Sequence, residues 1–98
     1  MNIERVDIKW TTSSINHIAR HGVDPFEVEE CIYEDSPRVF KTVRRGELRY
    51  IVYCRCVSGR YLTVVITPPK NGFIRVITAR DMTERERSKY RRLIQWEE

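Results

Sequence analysis

The sequence of 98 residues lacks the features of a membrane, secreted or multidomain protein. No apolar run approaches the roughly 18 residues of a transmembrane helix, and residues 1–9 carry charges where a signal peptide would be apolar. We therefore expect a cytoplasmic protein with no membrane segment. A chain of this length is expected to form one domain over residues 1–98, with a single hydrophobic core and no structural metal.

Cysteine and histidine are both scarce. Cys54 and Cys56 are separated by one residue instead of the two found in redox and zinc motifs, and the third cysteine is Cys31. We predict that all three are reduced residues of the core or of strands. His17 and His21 have the i, i+4 spacing of a shared helix face but lack the glutamate of the zincin motif, so no metal site and no cofactor are predicted. They are either an exposed, solvated pair or, for His21, a catalytic acid or base.

Several other active-site patterns are missing as well. The four glycines form no phosphate-binding loop, and the chain has no carboxylate pair suited to glycoside hydrolysis. Basic residues are in excess, with a net charge of +4, and they are unevenly distributed: residues 1–37 carry −5 and residues 38–60 carry +6. This asymmetry predicts one surface that attracts anions. The alternative is an ordinary solvated surface.

Hydrophobic periodicity in the N-terminal part predicts a strand and two helices. Residues 5–10 alternate between apolar and polar side chains, as in a half-buried strand. A helix follows, with N-cap candidates at 11–14 and Ile18 on its apolar face. A second helix begins with the capping box formed by Asp24 and Glu27.

The C-terminal part predicts four strands and a last helix, which gives the order β-α-α-β-β-β-β-α. Thr83 and Glu86 form a second capping box, so we assign both to structure and expect a helix that ends near Trp96. Helices followed by a run of strands favour an α+β fold in which the helices pack on one face of an antiparallel sheet. The predicted strands cover residues 39–43, 48–57, 61–67 and 73–79.

These strands place arginine and aromatic side chains together. Arg49, Tyr53 and Arg55 are separated by even numbers of residues, so they project from the same face of a strand, and Arg60 precedes the next strand. Such a face suits single-stranded RNA, because bases stack on aromatic rings and guanidinium groups bind phosphates. The alternative is that the aromatic residues only pack the sheet.

The segment 75–90 joins the last predicted strand to the last helix and contains a recognisable motif. The motif residues in this segment are Ala79-Arg80, Thr83, Glu86-Arg87 and Tyr90. Further matching residues lie nearer the N-terminus, at Trp10, 21–23 and 26–27. With these residues the chain resembles the BrnT toxin family, small cytoplasmic ribonuclease toxins of the RelE superfamily.

The resemblance implies a RelE-like fold and cleavage of messenger RNA without a metal. Such cleavage needs a base for the 2′-hydroxyl, cations for the phosphate and an acid for the leaving 5′-oxygen. We expect Arg80, at the strand-to-helix junction, to clamp the phosphate, with Arg75 as a second cation. His21 is expected to act as acid or base and Tyr90 to donate a proton or orient the phosphate. The residues assigned to RNA binding are Arg49, Tyr53, Arg55, Arg60 and Arg87.

The expected partners are RNA and a small DNA-binding antitoxin, in a homodimer or a toxin–antitoxin hetero-oligomer, with no membrane. Three features depart from the family pattern. Thr11 follows Trp10 where the family has aspartate, no lysine occurs between Trp10 and Lys41, and His17 stands where the family has asparagine. These departures leave two other hypotheses open: a non-catalytic RNA-binding or regulatory module, and a protein-interaction module on the same fold.

Overall fold

A computed structural model describes residues 6–33 and 37–95 and confirms the α+β class. The predicted element order is also observed, except that the last strand is divided in two, and the expected helix end near Trp96 lies outside the described residues. No helix within the described ranges is long and apolar enough to cross a membrane. The elements are β1 (Asp7–Ile8), α1 (Thr12–Ala19), α2 (Pro25–Tyr33), β2 (Arg38–Arg44), β3 (Glu47–Arg55), β4 (Tyr61–Ile66), β5 (Phe73–Ile74), β6 (Val76–Asp81) and α3 (Glu84–Gln95).

The strands of the described residues form two separate sheets. Four strands make an antiparallel sheet in the order β2-β3-β4-β6, whereas β1 pairs in parallel with β5. The division between β5 and β6 falls at Arg75, whose backbone N–H donates to Thr67 Oγ1 at 2.9 Å and whose carbonyl accepts from the Thr67 N–H at 3.0 Å. A register shift between Val65 and Ile66 accompanies this break. The segment predicted as one last strand therefore contributes β5 to the parallel sheet and β6 to the antiparallel sheet.

Helices cover both faces of the antiparallel sheet, so the prediction that they all lie on one face is wrong for α3. Val52 and Cys54 of β3 pack with the buried residues of α1 and α2. Ile51 and Tyr53, which alternate with them, pack with Tyr90 of α3. Strands that are apolar on both alternations need a cover on each side, because a single covered face would leave the other apolar face in water.

The cysteine prediction is wrong for two of the three residues. Cys31 of α2 and Cys54 of β3 are joined by a disulfide, with Cα atoms 5.3 Å apart. Cys56 is a free, buried thiol whose pKa is raised to about 11 by burial and then by the nearby charge of Glu27. Spacing along the chain could not reveal this pairing, because it depends on where α2 crosses β3.

The predicted helix starts are confirmed. The Asp24 carboxylate accepts from the Glu27 N–H at 3.0 Å, and the Glu27 carboxylate accepts from the Asp24 N–H at 3.1 Å. Thr11 caps α1 in the same reciprocal way with Ser14. These caps depend on residues three positions apart, so local sequence is enough to predict them.

Arg60 ties three parts of the fold together. Its Nε and Nη2 donate to the Asp81 carboxylate at 2.7 and 3.2 Å, and its Nη1 donates to Glu27 and to the carbonyl of Gly22, at 2.9 Å to each. These hydrogen bonds, first to Asp81 and then to Glu27, raise the pKa of Arg60. All three guanidinium nitrogens have partners within the protein, so the prediction that Arg60 binds RNA is not supported by its surroundings.

We predict that Arg60→Lys lowers the free energy of unfolding by about 2 kcal/mol, because one ammonium group cannot replace the guanidinium bonds to Asp81, Glu27 and Gly22. Urea denaturation at neutral pH measures the change. Arg85→Lys, on the exposed side of α3, is the matched control and should change stability by less than about 0.5 kcal/mol. Equal effects of the two substitutions would contradict this role.

Candidate functional site

A groove of about 620 Å³ occupies the part of the antiparallel sheet that α3 leaves open. Its floor consists of Ile51, Val65 and Thr78, which lie side by side on β3, β4 and β6. Basic side chains line the end nearest the β2–β3 hairpin. They are Arg44, Arg45 and Arg49. The result is an apolar floor beside a cationic rim, which suits a ligand with flat apolar groups and negative charge.

Arg49 is the predicted RNA-binding residue that lines this groove. Its Nη2 donates to Glu47 at 2.9 Å, and Glu47 is largely exposed, with 71% of its side chain accessible. An ion pair with such an exposed carboxylate is weak, because water screens it. Arg49 can therefore exchange Glu47 for a phosphate at small cost.

Two imidazoles lie at the β6 edge of the groove. The Nε2 atom of His17 is 3.2 Å from Thr78 Oγ1, which joins α1 directly to the groove floor. The ring of His21 packs edge-on against that of His17, with 5.8 Å between the ring centres. The predicted candidate His21 thus contacts His17, which is half-buried against β6.

Arg75 lies close to His17. It lines a cavity of about 280 Å³ together with His17 and Lys9, next to Thr11 and Ser14 at the start of α1. The sequence analysis expects Arg75 to act as a second cation beside Arg80, and the strand that would hold both residues is broken at Arg75. The Arg75 side chain joins the His17 cavity and does not join the contacts of Arg80.

Arg80 is held by Glu86. Its Nη1 and Nη2 donate to the two carboxylate oxygens of Glu86, at 2.7 and 3.1 Å. The same carboxylate accepts from Thr63 Oγ1 at 3.1 Å and from the Thr83 N–H at 2.9 Å, as the capping box predicted. Arg80 lies on the groove side of β6, two residues from Thr78, but its two terminal nitrogens hold α3 to the sheet.

The Glu86 carboxylate is ionised because of these contacts. Burial alone would raise the pKa of Glu86, but the hydrogen bonds from Arg80, the Thr83 N–H and Thr63 outweigh burial and lower the pKa to about 2. The hydrogen bonds that Arg80 donates to Glu86 also raise the pKa of Arg80. A phosphate that approached Arg80 would have to share this cation with a carboxylate at hydrogen-bonding distance.

Two predicted tyrosines are buried. Tyr53 is on the expected face of β3, but α3 covers it and leaves 8% of its surface exposed, with the Phe40 ring 5.1 Å away. Tyr90 is 2% exposed in the same cluster. Stacking on a base and proton transfer to RNA both require contact with the ligand, so neither tyrosine fits its predicted role in this conformation.

Arg55 and Arg87 surround a tyrosine that the sequence analysis did not assign. The guanidinium of Arg87 lies 4.6 Å above the centre of the Tyr61 ring. The pKa of Tyr61 is lowered by a hydrogen bond from Arg55, against burial, and by a second hydrogen bond from Arg91. The two predicted RNA-binding residues thus lie together beside α3, in a basic cluster separate from the groove.

The structure brings some predicted residues together and separates others. Arg49 lines the groove, His21 contacts His17, and Arg75 shares a cavity with His17. Arg80, Tyr53 and Tyr90 lie under or against α3. His17 and Lys9 are candidates that the analysis missed. His17 lies near the middle of α1, which was a signal in the sequence that it could be a candidate. Its partner Thr78 is 61 residues away in the sequence, so the contact with β6 could not be predicted.

A comparison with family models matches residues 10–86 to the ribonuclease toxin BrnT of type II toxin–antitoxin systems. The chain belongs to the BrnT family. The match begins at Trp10, whose Nε1 donates to Glu29 at 2.9 Å, and it ends at Glu86, the partner of Arg80. It therefore includes the groove and both histidines.

Membership in the BrnT family gives the general function: a ribonuclease toxin of a type II toxin–antitoxin system, with RNA as substrate and an antitoxin protein as partner. The resemblance found in the sequence is thus confirmed for the family. No curated protein matches the chain.

We predict that Glu86→Gln lowers the free energy of unfolding by about 3 kcal/mol at pH 7, from the difference between an ordinary glutamate pKa and one of about 2. The folded-state pKa is depressed, so this stability is present above about pH 4.5 and is lost as the pH falls toward 2. Urea denaturation at pH 7, 4 and 2.5 should show that the free energies of unfolding of the parent protein and of Glu86→Gln converge as the pH falls.

The control for this prediction is Glu84→Gln, in the same helical turn but exposed. Its effect should be below about 1 kcal/mol, because an exposed charge near a helix N-terminus contributes little. A difference between Glu86→Gln and the parent protein that stays constant from pH 7 to 2.5 would show that the lost charge is not the cause.

Proposed function

We propose that this BrnT-family protein cleaves messenger RNA in the groove without a metal ion, using His17 as an acid–base group. The observation that carries the proposal is the contact between His17 and Thr78, since it fixes an imidazole at the edge of a groove with a cationic rim. Imidazole exchanges protons near neutral pH, and single-stranded RNA has both the charge and the flat bases that the groove suits.

The proposed reaction is attack of a ribose 2′-hydroxyl on the adjacent phosphorus. One imidazole takes the 2′-hydroxyl proton, the new P–O bond forms, and the bond to the 5′-oxygen breaks as that oxygen receives a proton from the other imidazole. The products are a 2′,3′-cyclic phosphate and a 5′-hydroxyl. His17 and His21 form the pair, with 5.8 Å between their rings, and together they can supply both groups.

Arg49 and Arg75 are the proposed cations for the charge that develops on the phosphate. Arg49 lines the groove, and Arg75 lines the adjoining cavity together with His17. Arg80 was the first choice from sequence, but its bidentate bond to Glu86 supports a positioning role, in which it holds α3 beside the groove. Guanidinium groups placed in advance at a phosphate stabilise the transition state more than the substrate.

We also propose that the antitoxin is a small DNA-binding protein and that the two proteins form a hetero-oligomer in which the groove is blocked. Its cationic rim, with Arg44, Arg45 and Arg49, supports an acidic antitoxin segment as the group that displaces RNA. A homodimer of the toxin is a further arrangement that size-exclusion chromatography with light scattering would reveal.

The cleavage experiment uses the purified protein and single-stranded messenger RNA in excess EDTA, with the product ends mapped. We predict that His17→Ala lowers the single-turnover rate by about 100-fold or more, the usual contribution of a general acid or base. Arg92→Ala, on the exposed face of α3, removes a cation away from the groove and should leave the rate unchanged.

The outcomes separate the hypotheses. Cleavage that requires added Mg²⁺, or that is equally fast with His17→Ala, contradicts the proposed mechanism. RNA binding without any strand cleavage by the parent protein favours the non-catalytic RNA-binding module, for which the departures from the family pattern at Thr11 and His17 are the specific reason.

A further inference from the structure

The small parallel sheet presents a polar, aromatic face to solvent. Val6, Ile8, Ile74 and Val76 belong to the hydrophobic core. The residues that alternate with them on the two strands point outward, because successive side chains of a strand lie on opposite faces. The Lys9 N–H donates to the Ile74 carbonyl at 2.8 Å, so the pairing continues past β1. The outward residues are Asp7, Lys9, Phe73 and Arg75.

A tight turn adds a further cation to this face. Lys70 and Phe73 exchange two backbone hydrogen bonds, of 2.9 and 3.0 Å, around Asn71 and Gly72. Asn71 and Gly72 have positive φ values of 54° and 81°, the conformation of a two-residue hairpin turn that asparagine and glycine favour. Lys70 is therefore directly opposite Phe73, at the separation of a cross-strand pair.

Phe73 is an aromatic residue that the core does not use. Its side chain is 45% exposed, although a phenylalanine would contribute more to stability if it were buried. It lines a cavity of about 650 Å³ with Lys9, Lys70 and Arg75. Three cations around one exposed ring are typical of a site that binds a base and its phosphate. An apolar protein partner would favour a larger patch without this charge.

This surface is continuous with the proposed cleavage site. Lys9, Arg75 and Thr67 line both this cavity and the smaller cavity that contains His17. His17 in turn contacts Thr78 on the groove floor. A single strand of RNA that crosses the groove at His17 therefore reaches Phe73 past Lys9 and Arg75, the two cations that the cavities share.

We propose that Phe73, Lys70, Lys9 and Arg75 form a subsite for one nucleotide of the RNA next to the cleaved phosphate. The base stacks on the Phe73 ring, and the three cations bind its phosphate. This inference rests on the proposed function, because it assumes that the strand passes His17. The subsite is a position at which the protein binds the RNA without contacting the reacting atoms.

The test measures binding and not cleavage, so that the two proposals can fail separately. A fluorescein-labelled single-stranded RNA of eight nucleotides is titrated with His17→Ala protein in EDTA, and its anisotropy gives the Kd. In this background we expect Phe73→Ala and Phe73→Leu to raise the Kd about tenfold or more, whereas Phe73→Trp stays within about threefold of the Phe73 protein.

Phe26→Ala is the matched control, since Phe26 is also an exposed phenylalanine, 68% accessible, but lies at the start of α2. It should leave the Kd unchanged, and thermal melting should show that all the variants fold. An unchanged Kd for Phe73→Leu overturns the subsite, because leucine keeps the apolar volume and loses only the stacking surface. An equal rise in Kd with Phe26→Ala also overturns the subsite.

The cleavage assay then identifies which proposal has failed. If the parent protein cuts RNA in a His17-dependent way and the Phe73 variants bind normally, only the subsite is wrong. If the Phe73 variants no longer bind the antitoxin protein but bind RNA with an unchanged Kd, this face is a protein-docking surface and the subsite is also wrong. If no cleavage occurs but binding depends on an aromatic ring at position 73, the subsite stands and the mechanism fails.

Discussion

One helix cannot cover one face of a four-stranded sheet, and the rest of this structure follows from that limit. α3 has 12 residues and is thus about 18 Å long. With its side chains it is about 10 Å wide, whereas four strands at about 4.8 Å spacing span nearly twice that width. The helix therefore covers Tyr53 and leaves Ile51 and Val65 as the floor of an open groove. The position of α3, held by the Arg80–Glu86 pair, determines which residues of this face stay open in the groove.

Residues that interact over short distances in sequence were predicted well. The two capping boxes and the shared face of Arg49, Tyr53 and Arg55 needed only local spacing and strand alternation. What α3 covers, and which helix residue lies above Cys54, depend on packing between elements distant in the chain. The candidate site was for that reason predicted only in part: Arg49 and Arg75 reach it, whereas Tyr53 and Tyr90 lie beneath a helix whose position no periodicity reveals.

Net charge was also an incomplete guide to function. Arg60 belongs to the basic segment 38–60 and Arg80 was expected to bind phosphate, yet both are bound by carboxylates. Arg60 binds Asp81 and Glu27, and Arg80 binds Glu86. A guanidinium that holds elements together contributes less to the attraction of phosphate than one on a free rim. Lys9 belongs to the acidic part of the sequence, and it nevertheless faces the same cavity as Arg75 and His17.

The break at Arg75 sets a distance that side chains cannot alter. One residue separates β5 from β6, and its backbone is bonded to Thr67 in both directions. The chain passes between the two sheets without a loop, so Phe73 and Thr78 are separated by a fixed number of residues of nearly extended backbone. Substitutions along this path change side chains but leave this spacing in place. In the proposed arrangement, only the insertion or deletion of a residue here would change the distance between the base on Phe73 and the phosphate at His17.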